Sequence, residues 1–317
     1  VLAGASNAMG TPLFSNQRSG NSCGGGAQEC TSFQIDDQTA ATSNVNTHAN
    51  VGMAGLAYDA NNDILYGIKN GANSELFTID QASGASTSIG NTGINDAVGL
   101  AYDNANNTLW TSTNGSGGTG GIGQFHTLNV ADGSALSNIA GFQERLDGLA
   151  YGNGNLYAQQ ETGTGTIFVV NQTTGAGTAI ANQALPNTGS WQGLAFQNGL
   201  LYAADCCAGG NGELWSVDPN TGATASVGSN DTFRLQSLAP TTGSGSMGNI
   251  DDFEWNTNRS GDWNVRGNWN PGGGPPGNST APNRANHTAT FGNGLSATIS
   301  AEDPVFRRSV IFSQTIN

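Results

Sequence analysis

The chain has 317 residues, 48 of them Gly, with 23 acidic against 9 basic side chains and a formal net charge of −14. Charged residues make up only 10% of it and Lys69 is the sole lysine, so the basic footprint required to hold nucleic acid or an anionic membrane surface is excluded. No apolar run approaches the ~18 residues of a spanning helix, and no basic n-region with an apolar h-region precedes Val1, so a mature, soluble product is expected.

Residues 1–250 hold 17 acidic and 4 basic side chains, whereas 251–317 hold 6 and 5. That shift predicts a boundary: an acidic domain over 1–240, a Gly/Ser/Thr linker over 241–250 that includes Thr241-Thr242-Gly243-Ser244-Gly245-Ser246, and a β-rich segment over 251–317.

Repetition organises the first domain. Gly55-Leu56-Ala57-Tyr58, Gly99-Leu100-Ala101-Tyr102, Gly148-Leu149-Ala150-Tyr151, Gly193-Leu194-Ala195-Phe196 and Ser237-Leu238-Ala239-Pro240 recur at spacings of 44, 49, 45 and 44 residues. Each of the first four is followed by an apolar pair (Leu65-Tyr66, Leu109-Trp110, Leu156-Tyr157, Leu201-Tyr202). Period-two stretches such as Leu76-Phe77-Thr78-Ile79-Asp80 and Leu214-Trp215-Ser216-Val217-Asp218 come next. Alternation means strands, and Asp218-Pro219-Asn220-Thr221-Gly222 supplies a tight hairpin into a fourth. A four-stranded meander cannot bury both its faces, so repeats of about 45 residues predict a β-propeller.

Residues 13–45 provide a second, third and fourth strand (Leu13-Phe14, Thr31 to Ile35, Thr42 to Val45) without a Gly-Leu-Ala phrase. Leu235 to Pro240 provide a first strand with nothing after it. Joined, the fragments complete one blade, giving an all-β, five-bladed ring closed by its C-terminal strand, with small residues on the crowded innermost strands.

Over about residues 12–240 the phrases G-L-A-Y-D, L-Y-G, L-(F/Y)-T-I-D and T-G-A-x-T resemble those of secreted bacterial β-propellers of the PEP-CTERM type. The resemblance implies fold and export, and leaves function open because propellers host unrelated activities. Asp262-Trp263, Gly267-Asn268-Trp269, Pro275-Pro276-Gly277, Ala289-Thr290-Phe291 and Ser309-Val310-Ile311-Phe312 resemble the opening of autotransporter-associated β-rich modules. The strand expected over Ser309 to Ile316 is then an open edge.

Candidate chemistry is sparse. His48, His126 and His287 lie in separate segments without Cys or carboxylate at ligand spacing, and are expected on the surface or in loops rather than on zinc. Gly115-Ser116-Gly117-Gly118-Thr119-Gly120 fits G-x-G-x-x-G, but Gln124 to Leu128 alternate as a strand where a dinucleotide site needs a helix, so a loop is expected. Asp59, Asp80, Asp103 and Asp218 recur once per repeat, which favours hairpin Asx-turns over the paired carboxylates of a glycosidase. Within Asp59-Ala60-Asn61-Asn62-Asp63, the residues Asp59, Asn61 and Asp63 form a weak calcium candidate lacking the downstream Gly and bidentate Glu. No other cofactor or metal site is expected.

Cys23 and Cys30 are placed in one inter-strand loop of the closing blade and Cys206-Cys207 in the corresponding loop of its neighbour. Four cysteines allow three connectivities. Adjacent cysteines bridge only with strain, which favours cross-blade pairs clamping the seam over a Cys206–Cys207 bridge, while a reactive or metal-binding quartet is the alternative. All four are expected to be oxidised, implying an extracellular or cell-surface location. Asn-X-Ser/Thr occurs at Asn106, Asn114, Asn171, Asn230, Asn258, Asn278 and Asn286.

Three function classes follow. The leading expectation is a non-catalytic extracellular structural subunit that self-associates through Val305, Arg307, Arg308, Val310 and Phe312 of its C-terminal segment into a filament, sheath or matrix. A propeller binding glycan or a surface protein through its loop face, with Trp191 near a blade entrance, is the alternative. A hydrolase or lyase comes third.

Overall fold

The structure is a computed structural model that describes residues 12–17, 29–49 and 52–241 apart from 116–122, 141, 143, 162, 188–190, 207–211 and 231–233, together with four strands after residue 251. The chain divides into two units, Val1–Gly245 and Ser246–Asn317.

The first unit opens with β1 (Pro12–Gln17), β2 (Glu29–Asp36) and β3 (Thr42–Ala49). A first complete meander follows as β4 (Gly55–Asp59), β5 (Ile64–Lys69), β6 (Glu75–Ile79) and β7 (Ser86–Asn91). The second is β8 (Ala97–Asp103), β9 (Thr108–Thr113), β10 (Gln124–Leu128) and the short β11 (Ile139–Ala140). The third is β12 (Leu146–Gly152), β13 (Asn155–Gln160), β14 (Ile167–Val170) and β15 (Gly177–Ala179). The fourth is β16 (Trp191–Gln197), β17 (Leu200–Asp205), β18 (Gly212–Val217) and β19 (Thr224–Asn230). Finally β20 (Leu235–Pro240) pairs antiparallel with β1, Phe14 opposite Ala239, so the closing blade has the order β20-β1-β2-β3. These are the five blades of a β-propeller, closed as the repeat ends require.

The Gly-Leu-Ala phrase forms the innermost strand of each complete blade, and its residues are buried throughout. Its glycines meet the next blade's inner strand. A Cβ on Gly55 would lie 2.3 Å from the Val98 carbonyl oxygen, one on Gly99 2.7 Å from that of Asp147, and one on Gly148 2.7 Å from Leu194 Cβ. The leucine one position on packs the opposite way, against the preceding blade: Leu100 joins Ala57, Tyr66 and Leu76, and Leu194 joins Ala150, Tyr157 and Ile167. Glycine brings the strands together and leucine fills the wedge behind them, so burial accumulates between blades.

In the second unit, β21 (Asp252–Trp255) pairs antiparallel with β22 (Trp269–Asn270) and parallel with β23 (His287–Phe291), which pairs antiparallel with β24 (Leu295–Ile299). The expected edge strand at 309–316, with Val305, Arg307, Arg308, Val310 and Phe312, lies outside the described residues.

Candidate functional site

The repeated carboxylates close turns. Asp59 Oδ1 accepts the backbone N–H groups of Asn61 (3.0 Å) and Asn62 (3.2 Å), and its Oδ2 accepts Asn62 Nδ2 at 2.8 Å. Asp103 repeats the pattern with Ala105 and Asn106. Asp80 and Asp218 cap the hairpins into the outer strands, with Gly84 and Gly222 at positive φ. The Asx-turn reading therefore holds.

The inner carboxylates also receive a bond across the blade boundary. The Tyr102 hydroxyl bonds to Asp59 and the Tyr151 hydroxyl to Asp103; burial and this partner push the Tyr102 phenol well above its usual range and the Tyr151 phenol up to about 12. A phenol held so firmly in its protonated form is a donor, so these pairs key one blade to the next.

The calcium candidate does not fit this arrangement. Asn61 Nδ2 donates to the Asn104 carbonyl (2.6 Å) and Asn107 Oδ1 (3.1 Å), while Asp63 Oδ1 accepts Tyr58 (2.6 Å) and Gln81 Nε2 (2.8 Å). A cation there would have to displace N–H and O–H donors from Asp59 and Asp63. Among the described residues no group of three His, Cys, Asp or Glu side chains is arranged to hold a metal ion.

Several side chains sit elsewhere than expected. His48 lies in β3 and His287 in β23, and their side chains lie outside the described residues. His126 is buried in β10, at the register position that Phe77, Phe168 and Trp215 occupy in other blades. Its Nδ1 lies 2.9 Å from the Ser137 carbonyl, its Nε2 has no partner, and burial lowers its pKa from 6.5. Because the unfolded chain then binds the proton more readily, stability is expected to fall as pH drops below about 6.5. Urea midpoints at pH 7.5 and 5 measure this, and His126→Phe, which restores the aromatic of the repeat, flattens the dependence. Trp191 is fully buried in β16, in the core between the third and fourth blades, so it offers no platform to a glycan.

Cys30 is the second residue of β2 and does not lie in the preceding loop. Cys206, fully buried immediately after β17, is disulfide-bonded. Cys23, Cys207 and the Cys30 side chain lie outside the described residues. So does most of the Gly115–Gly120 stretch, which falls between β9 and β10, two strands.

Two groups at the closing blade break the repeat. On its fourth-blade side, the buried Asp37 accepts Gln197 Nε2 and the Tyr202 hydroxyl, each at 3.3 Å, and burial raises its pKa. Gln197 replaces the Asp that ends the inner strand in the first two blades, and its Oε1 accepts the Thr241 N–H at 3.1 Å, so it ties the fourth blade to the closing strand pair.

On the first-blade side lies a cleft of about 440 Å³, counting its solvent-facing mouth, with Phe14, Met53, Leu56, Leu65 and Ile79 on its floor and Ser32, Gln34, Asn44 and Asn46 along its rim. Its origin is compositional. Ser32 holds the position of Leu76, Phe125, Ile167 and Leu214, each completely buried in its own blade. The bulge above it differs as well. Ile89 and Val227, the extra residues of the bulges in β7 and β19, pack onto adjoining cores, whereas Val45 is turned out and 48% exposed beside Asn44 at φ 48°. A polar residue beneath and an everted valine above leave the seam underfilled.

No protein-family model matches the chain, and no curated protein is similar to it in sequence. Several solved structures align with parts of the chain at low identity. A nidogen/laminin complex aligns over 72% of this chain and 97% of that one at 11% identity and a TM-score of 0.47. The glutaminyl cyclase of Myxococcus xanthus aligns over 78% and 85% at 18% identity and 0.42. A Bacteroides thetaiotaomicron protein of unknown function aligns over 69% and 58% at 16% identity and 0.45.

Proposed function

We propose that this protein is a non-catalytic extracellular structural subunit that associates with copies of itself through sheet edges. The observation that carries this reading is the composition of the outermost strands. β3 (TSNVNTHA), β7 (STSIGN), β11 (IA), β15 (GTA) and β19 (TASVGSN) contain no Asp, Glu, Lys or Arg. Folded proteins commonly guard sheet edges with lysine or proline, because an unguarded row of N–H and C=O groups pairs with any strand offered to it. Bulges interrupt β3, β7 and β19, yet β3 remains eight residues long with an exposed valine.

The engagement of Asp59, Asp80, Asp103 and Asp218 in turns, and of Asp59 and Asp103 with tyrosines, supports a scaffold over a hydrolase. The strand donor in this reading is the C-terminal segment, with Val310 and Phe312 as anchors, Val305 preceding them, and Arg307 and Arg308 drawn to the acidic propeller. One end of the chain meeting a different surface of the next copy is a heterologous contact, which extends into a filament unless its rotation closes.

Deleting residues 304–317 is expected to leave a monomer where the intact chain forms polymers visible by light scattering and electron microscopy. Identical polymers from both proteins, or an intact chain that stays monomeric at high concentration, would refute the proposal.

A further inference from the structure

We infer that the acceptor for that segment is one specific place on the ring, the edge of β3 together with the cleft at the seam between the closing blade and the first blade. The inference rests on the self-association reading and adds its address. The neighbouring copy's residues 309–316 would lie antiparallel or parallel along β3, with Phe312 entering the cleft.

Three observations single out this site. Among the outer strands, β3 is the longest at eight residues, and it has an exposed apolar side chain where the equivalent positions in β7 and β19 are packed inward. The cleft exists because Ser32 stands in register with residues that fill the other four blades, so its unoccupied volume lies where Leu76 and Phe125 have their side chains, and an apolar group is the complement of its floor. The rim is mostly uncharged, with Ser32, Gln34, Asn44, Asn46 and Gln81 beside a single carboxylate, the exposed Asp80, and Asn44 Nδ2 is bonded to Gln34 Oε1 at 2.6 Å.

The donor matches on each count. Ser309-Val310-Ile311-Phe312-Ser313-Gln314-Thr315-Ile316 is also eight residues long and carries no charge. Paired as a strand, its sequence alternation would put Val310, Phe312 and Ile316 on one face. The adjoining Arg307-Arg308 brings positive charge to a unit whose acidic side chains far outnumber its basic ones. A neutral strand paired along the uncharged β3 places no charge in the strand pairing itself, the one carboxylate nearby being Asp80 at the cleft, and main-chain pairing supplies the remaining affinity.

Ser32→Leu separates this site from every other edge, because it gives the closing blade the residue its neighbours already have. Filling the cleft is expected to raise the thermal midpoint of the intact chain while weakening self-association at least ten-fold by sedimentation velocity. Phe312→Ser, which leaves the propeller untouched, is expected to weaken association by a similar factor. The double variant should be no weaker than either single one, since both remove the same contact. If Ser32→Leu or Phe312→Ser associates like the intact chain, the seam is not the acceptor, although the deletion of 304–317 can still establish self-association through another edge. If the two effects multiply, the residues act at separate places and the inference is equally overturned.

Discussion

Gly55→Ala is expected to destabilise the propeller by about 3 kcal/mol, at the upper end for a single added methyl group in a close-packed interior. The added carbon would sit 2.3 Å from the Val98 carbonyl oxygen, 2.7 Å from the Leu100 nitrogen and 2.9 Å from the Gly99 carbonyl carbon. All three are backbone atoms of the next blade's inner strand, so no side chain can rotate away. Relief requires the first and second blades to separate, which loosens the cluster of Ala57, Leu76, Ala97 and Leu100 between them. Gly93→Ala is the control: Gly93 has φ 72° and open space around its Cβ position, so only the cost of a left-handed alanine, about 1 kcal/mol, is expected. Chemical denaturation of the two variants measures the difference. Equal losses would mean that the inner strands yield freely and that the Gly-Leu-Ala phrase has another cause.

That phrase was the most legible part of the sequence. Its period located every inner strand, and the unmatched ends at Leu13-Phe14 and Leu235 to Pro240 located the ring closure, because a strand with no partner on its own side must find one across the ring. Hairpin chemistry is equally local, so Asp80 and Asp218 could be assigned from their spacing to Gly84 and Gly222. The seam cleft was hidden because Thr31 to Ile35 reads as an ordinary strand until its register is laid over the other blades. Only then does Ser32 fall at the position that Leu76, Phe125, Ile167 and Leu214 hold in the other blades. His126 was misplaced for the same reason: considered beside the other histidines it looked exposed, whereas its register beside Phe77, Phe168 and Trp215 marks it as core. Trp191 looked accessible because it precedes Gly193-Leu194-Ala195, but an inner strand begins inside the ring wall. The tyrosine bonds to Asp59 and Asp103 join residues 43 and 48 positions apart in different blades, a relation no local pattern expresses.

Those bonds lead to the second large effect, at the boundary between the third and fourth blades. Where the first two blades end their inner strands in Asp59 and Asp103, the third ends in Gly152. Where the second and third blades present Tyr102 and Tyr151, the fourth presents Phe196. Donor and acceptor are thus missing together. Phe196 occupies the vacated space, since a Cβ on Gly152 would lie 2.1 Å from two of its ring carbons, and the ring is stacked on Tyr157 at 6.0 Å and 1°. The shorter turn explains why the carboxylate is dispensable. Asn153 and Gly154, both at positive φ, join Gly152 to Asn155 in a two-residue hairpin that needs no Asx cap, whereas the longer turns after Asp59 and Asp103 use one. Phe196→Tyr alone is expected to cost about 1–3 kcal/mol, as a buried hydroxyl without an acceptor does. Gly152→Asp alone should cost more, about 3 kcal/mol, because the added side chain must push against the Phe196 ring. Made together, the substitutions reproduce the pair seen at the two preceding boundaries, and the double variant should be more stable than the sum of the single losses by at least about 1.5 kcal/mol. Urea denaturation of the four proteins in the cycle gives this coupling energy. Strict additivity would show that the tyrosine–aspartate bonds merely accompany blade packing, and a favourable coupling would show that they set the spacing at which neighbouring blades lock.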